Sequence, residues 1–153
     1  MLSKPRHGWT DFSLSGTSVY GLSYLDDIAF EWIGQAIHGL ETANPFCVKG
    51  SLEPGKLLCT VSCWNCHIII EDEGTRPLEG EDFIMEHSPT SMIDFCRNLY
   101  SDISGGVDGW ASFANYRGED SAAKKKRLLQ MLERLKTLIL EQEVWFGPNR
   151  YFF

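Results

Sequence analysis

Between Phe46 and Glu71 three successive stretches alternate apolar and polar residues, separated by Glu53-Pro54-Gly55-Lys56 and by Trp64-Asn65. Setting Leu52 opposite Leu57 across the first break puts Val48 opposite Val61 and Phe46 opposite Cys63. Setting Cys63 opposite Cys66 across the second puts Val61 opposite Ile68 and Cys59 opposite Ile70. Both assignments give the same apolar face: Phe46, Val48, Leu52, Leu57, Cys59, Val61, Cys63, Cys66, Ile68 and Ile70. Lys49, Ser51, Thr60, Ser62, His67 and Glu71 fall on the other. A slip of one residue would exchange the faces of a strand, so this agreement fixes which side is buried. The chain must therefore build an antiparallel meander and cover one side of it.

The cover is legible on either side of the meander. Upstream, WTDFSLSGTSVYGLSYL predicts two short strands, about 9–14 and 18–24, turning at Ser15-Gly16. Leu25, Ala29, Trp32, Ile33, Ala36, Ile37 and Leu40 then recur at helical spacing over about 27–42, behind Asp26 and Asp27 as N-terminal caps. Downstream, a fourth strand is expected at about 82–87 with Phe83 and Met85 inward. Ser88-Pro89 reads as the cap and first position of a helix carrying Met92, Ile93, Cys96, Leu99, Tyr100 and Ile103, stopped by Gly105-Gly106. Asp108 can cap a short helix bearing Trp110 and Phe113. A long helix over about 121–143 turns Leu128, Met131, Leu132, Leu135, Leu138 and Ile139 inward, and the aromatic tail VWFGPNRYFF is expected to dock. Strands first and helices later predict an α+β fold, with an antiparallel sheet of about four to six strands covered on one face by helices. At 153 residues one domain spanning 1–153 is expected. No apolar run approaches the roughly 20 residues of a membrane span. MLSKPRHGWTDF has no apolar leader-like stretch, so a cytoplasmic location is expected.

Charge narrows the partner. Residues 1–118 hold 7 Lys and Arg against 16 Asp and Glu, a net −9; residues 119–153 hold 7 against 5, a net +2. The densest stretch, Glu71 to Glu86, has seven acids (Glu71, Asp72, Glu73, Glu79, Glu81, Asp82 and Glu86) and one Arg. Such a surface repels nucleic acid and speeds encounter with a basic protein. Glu71, Asp72, Glu73, Glu79, Glu81 and Asp82 are the candidate partner-binding residues; a solvated, solubilising loop is the simpler use of the same charges. Lys124-Lys125-Lys126-Arg127 is the one basic run and reads as a solvated helix start.

Cys63-Trp64-Asn65-Cys66-His67 matches the C-x-x-C-H signature of covalent haem attachment. That chemistry needs both thiols and the imidazole on one side, whereas strand alternation turns His67 away from Cys63 and Cys66. Structural zinc from Cys59, Cys63 and Cys66 lacks a fourth convergent ligand for the same reason. A redox pair at Cys63 and Cys66 would sit on a hairpin, without the helix N-terminus that lowers a thiol pKa. Packing thiols are the expected role, and no cofactor is expected. His7, His38, His67 and His87 are scattered, and no G-x-S-x-G, phosphate loop or dinucleotide fingerprint occurs.

The order of an aromatic hairpin, SYLDD opening an amphipathic helix, an EPGK-centred hairpin, an acidic segment and a helix carrying Leu99-Tyr100 resembles the small α+β immunity proteins found beside bacterial polymorphic toxins. The resemblance spans roughly residues 9–113; the final helix and tail have no counterpart in it. It implies a non-enzymatic role, binding and neutralising a cognate toxin, and the acidic surface would suit a basic one. The alternatives are a metal or thiol-redox protein centred on Cys63 and Cys66, and a homo-oligomeric subunit, such as a homodimer, joined through exposed aromatics.

Overall fold

The computed structural model describes residues 1–71, 84–114 and 118–146, with side chains as far as 143. It is α+β. Strands β1 (Trp9–Phe12) and β2 (Tyr20–Ser23) form an antiparallel hairpin, followed by helix α1 (Ile28–Thr42). Strands β3 (Phe46–Ser51), β4 (Lys56–Val61), β5 (Cys66–Glu71) and β6 (Met85–Ser88) form a second antiparallel sheet in sequential order. Helices α2 (Met92–Ser104), α3 (Val107–Ala111) and α4 (Ser121–Phe146) complete the described chain.

The inner face of the larger sheet carries Phe46, Val48, Leu57, Cys59, Val61, Cys66 and Ile68, all buried, as the alternation requires. The pairing differs from the sequence expectation by two residues on each side of β4. Phe46 lies opposite Val61, Val48 opposite Cys59, and Val61 opposite Cys66. The first turn is Leu52–Gly55, entered through Glu53 and left through Gly55 at positive φ (50° and 92°). The second is a four-residue loop in which the Ser62 amide donates to the Asn65 carbonyl at 2.9 Å, in place of a tight Trp-Asn pair. Because side chains repeat every second residue, a shift of two leaves every face where it was.

The core lies between this sheet and α1 and α2, with α4 packed against both helices. Trp32 stands at its centre. Its ring meets Phe12 edge-on at 5.0 Å and Phe95 in a stack at 6.1 Å, and its Nε1 donates to the Lys49 carbonyl at 2.8 Å, so the one polar atom of a fully buried indole is satisfied. Gly50 and Gly39 mark two close approaches. Leu22 of the hairpin lies against the first, and the Phe46 ring lies on the second.

Four local expectations need correction. Asp27 stands at the N-cap of α1 but makes no capping bond; its Oδ2 instead accepts from Lys124 Nζ at 2.9 Å. Asp26 accepts from Ser51 Oγ at 2.6 Å. Lys124 is therefore not a solvated helix-start residue. It is 4% exposed, lies 5.2 Å from the Phe30 ring centre and ties α4 to α1, while Arg127 covers the same ring at 4.5 Å. Ser91, not Ser88, caps α2, its Oγ accepting from the Asp94 amide. Ser88 is buried and donates to the Ser15 carbonyl at 2.8 Å. Finally, β6 is turned over: Met85 is 61% exposed, and Glu86 and Ser88 face inward. Glu86 can do so because Tyr20 Oη, the Ser18 amide and Ser18 Oγ all donate to its carboxylate. Phe83 lies outside the described residues, and of the aromatic tail only the last turn of α4 to Phe146 falls within them.

Candidate functional site

Helices and hairpin cover one side of the β3–β6 sheet. The register arranges the other side in three rows. Cys47, Thr60, His67 and His87 form the first, Lys49, Leu58, Ile69 and Met85 the second, and Ser51, Lys56 and Glu71 the third. Each of these residues is exposed or half-buried. The middle row places Leu58, Ile69 and Met85 side by side on neighbouring strands, an apolar stripe about 10 Å long at the strand spacing of about 4.8 Å. Isolated exposed apolar residues are normal on any protein; exposed Met85 beside half-buried Ile69 and Leu58, on a face that no other described residue covers, makes a candidate contact surface.

Of the acidic candidates, Glu71 stands on this face. Glu71, the last residue of β5, is exposed and lies opposite Lys56. Asp72, Glu73, Glu79, Glu81 and Asp82 fall in the connection from β5 to β6, outside the described residues. Glu86, half-buried, turns its carboxylate to the hairpin. The Tyr20 hydroxyl, then the Ser18 donors, hold its carboxyl below the usual range. Burial, reinforced by Glu86, pushes Tyr20 up. This contact clasps the β1–β2 hairpin to the edge strand β6.

The thiols do not assemble with His67. Cys59 and Cys66 are buried on the inner face, Cys63 is half-buried in the β4–β5 loop, and all five cysteines are free. His67 projects from the opposite face of β5 from Cys66. The Cys66 thiol donates to the Thr90 carbonyl at 3.3 Å. A hydrogen bond with Cys66 and burial together push the Cys59 thiol up, burial pushes Cys47 up, and burial raises Cys96 to about 12. Cys47, Cys59 and Cys96, shifted in that direction, are poor nucleophiles and poor metal ligands at neutral pH, whereas the hydrogen bond with Cys59 lowers Cys66. Among the described residues no group of three or more His, Cys, Asp or Glu is arranged around a common ion position.

Inward placement of Met85 would have turned His87, two residues on, inward as well and away from His67, so the sequence reading does not bring the two imidazoles together. The pairing of β6 with β5 does. Comparison with protein-family models, with curated proteins and with solved structures returns no match. Among the described residues, no helix is long and apolar enough to cross a membrane.

Proposed function

We propose that this protein is a non-enzymatic binding domain that takes a basic protein partner on the open face of its larger sheet, in the manner of immunity proteins that neutralise a cognate bacterial toxin. The observation that carries this reading is the stripe Leu58–Ile69–Met85 on a sheet face that no other described residue covers, in a chain whose sequence continues from β5 into the acidic segment. An apolar stripe with charges at its margin has the anatomy of a protein interface: desolvated contacts govern dissociation, and rim charges govern encounter. Placement of Cys63 in the β4–β5 loop, Cys66 on the inner face and His67 on the outer face favours this binding reading over one centred on those thiols.

The test is association kinetics with the product of the adjacent reading frame, measured across a salt series. Neutralising Glu79, Glu81 and Asp82 to Gln, Gln and Asn is expected to slow association and flatten its salt dependence, with little change in folding. Identical rates and slopes in wild type and variant would return the segment to a solubilising role.

A further inference from the structure

On the open face the antiparallel register sets His67 of β5 directly opposite His87 of β6. The ring centroids are 5.1 Å apart and the ring planes meet at 63°. His87 is exposed and His67 half-buried, so solvent reaches the space between them. The backbone under both residues is fixed: β5 is paired on both sides, to β4 and to β6.

Directly opposed residues of antiparallel strands hold their Cβ atoms about 4.5–5.5 Å apart, within reach of one shared ligand. Two imidazoles bound to one tetrahedral ion at about 2.0–2.1 Å per nitrogen have ring centres roughly 5 Å apart. The observed separation already matches that geometry, so binding would require ring rotation and no movement of the strands. We propose that His67 and His87 form a two-imidazole site for a divalent first-row transition-metal ion of the nickel, copper and zinc class, with water completing its coordination. The nitrogen donor set selects this class over magnesium and calcium, which take oxygen ligands. Cys47 lies in the same row but two strands from His67, about 10 Å away, too far to share the ion. The positive charges on this face, Lys49 and Lys56, belong to other rows and other strands, and Glu71 lies opposite Lys56. This site is separate from the thiols on the inner face.

The test uses the full chain without an affinity tag, titrated with Ni²⁺ by calorimetry near pH 7.5. Wild type is expected to bind one ion with a Kd below about 100 µM. His87→Ala and His67→Gln should each weaken binding at least tenfold, and Cys47→Ser should leave it unchanged. Protons compete for the imidazole nitrogens, so affinity should fall on acidification to pH 5.5. Ni²⁺ should raise the melting temperature of wild type and not that of His87→Ala, because only a native-state site stabilises by mass action. His87 is exposed, so that variant keeps its fold, and His67→Gln provides a second reading. The proposal is overturned by any of three results: no saturation in wild type by about 1 mM, undiminished affinity in both histidine variants, or loss of binding in Cys47→Ser.

Discussion

Gly39 and Gly34 lie in the same helix, and the same substitution should act on them with opposite sign. In a helix interior Ala is favoured over Gly by about 0.8–1.0 kcal/mol. At Gly34 a methyl group would meet only Met131 Cε at 4.0 Å, an ordinary contact, so Gly34→Ala should stabilise by about 0.5–1 kcal/mol. At Gly39 the added Cβ would lie 2.2 Å from Phe46 Cδ1 and 2.9 Å from Cε1. The ring cannot simply swing aside. Phe46 is 5% exposed, opens β3 and packs edge-on against Phe95 at 5.8 Å. Relief then requires α1 to rise from the sheet by more than an ångström, pulling on the turn where Ala43 holds a left-handed φ of 53° and bonds back to Gly39. Overpacking of this kind costs about 1–3 kcal/mol, which exceeds the helix-propensity gain. Gly39→Ala should therefore destabilise by up to about 2 kcal/mol net. Urea unfolding of the two variants beside wild type measures both effects as shifts in midpoint at unchanged slope. Shifts of the same sign would refute the argument that close contact between α1 and β3 decides the outcome at Gly39.

Two further outcomes follow from the polar contacts. Lys124→Ala should cost about 2–4 kcal/mol in denaturant melts, because it leaves the Asp27 carboxylate, whose Oδ1 is already buried without a partner among the described residues, uncompensated; Lys125→Ala, which breaks only an exposed pair with Asp108, should change stability by less than about 1 kcal/mol. The Glu86 clasp gives a pH dependence of definite sign. Its folded pKa is depressed below the ordinary 4.5, so its contribution is present above pH 4.5 and is lost as pH falls through the folded value. Glu86→Gln should accordingly flatten the acid limb of a stability–pH profile. An unchanged limb would mean that Tyr20 and Ser18 do not hold the carboxylate in solution.

What could be read from the chain without coordinates was periodic. The inner face from Phe46 to Ile68, the stripes of α1, α2 and α4, and the burial of Trp110 and Phe113 all follow from spacing alone. What escaped was set by partners distant in sequence. Lys124 reads as one of four solvated cations until Asp27, 97 residues away, is placed beside it. Glu86 is an unlikely inward residue on polarity, and the alternation around it favours Phe83 and Met85 for the core. Its three donors from Ser18 and Tyr20, across a hairpin 66 to 68 residues distant, reverse that preference. The two turns were misjudged for a local reason: Glu53 adopts a left-handed conformation that its type does not advertise, and Ser62–Asn65 closes as a loop of four. The candidate contact surface was legible only in part. The acidic segment stands out in composition, whereas the stripe Leu58–Ile69–Met85 exists only once β5 and β6 are in register.

The proposal that the open sheet face receives the partner is tested most directly by placing a bulky charge on it without disturbing the core. Met85 is 61% exposed at the end of the apolar stripe, and Leu129 is 44% exposed on α4, away from that sheet. Met85→Arg and Leu129→Arg should both melt like wild type, since surface changes of this kind stay within about 0.5 kcal/mol. Against the product of the adjacent reading frame, Met85→Arg should weaken binding by at least tenfold, a loss of about 1.4 kcal/mol, and Leu129→Arg should not. Full affinity in Met85→Arg together with loss in Leu129→Arg would contradict the account and move the binding surface to the helices.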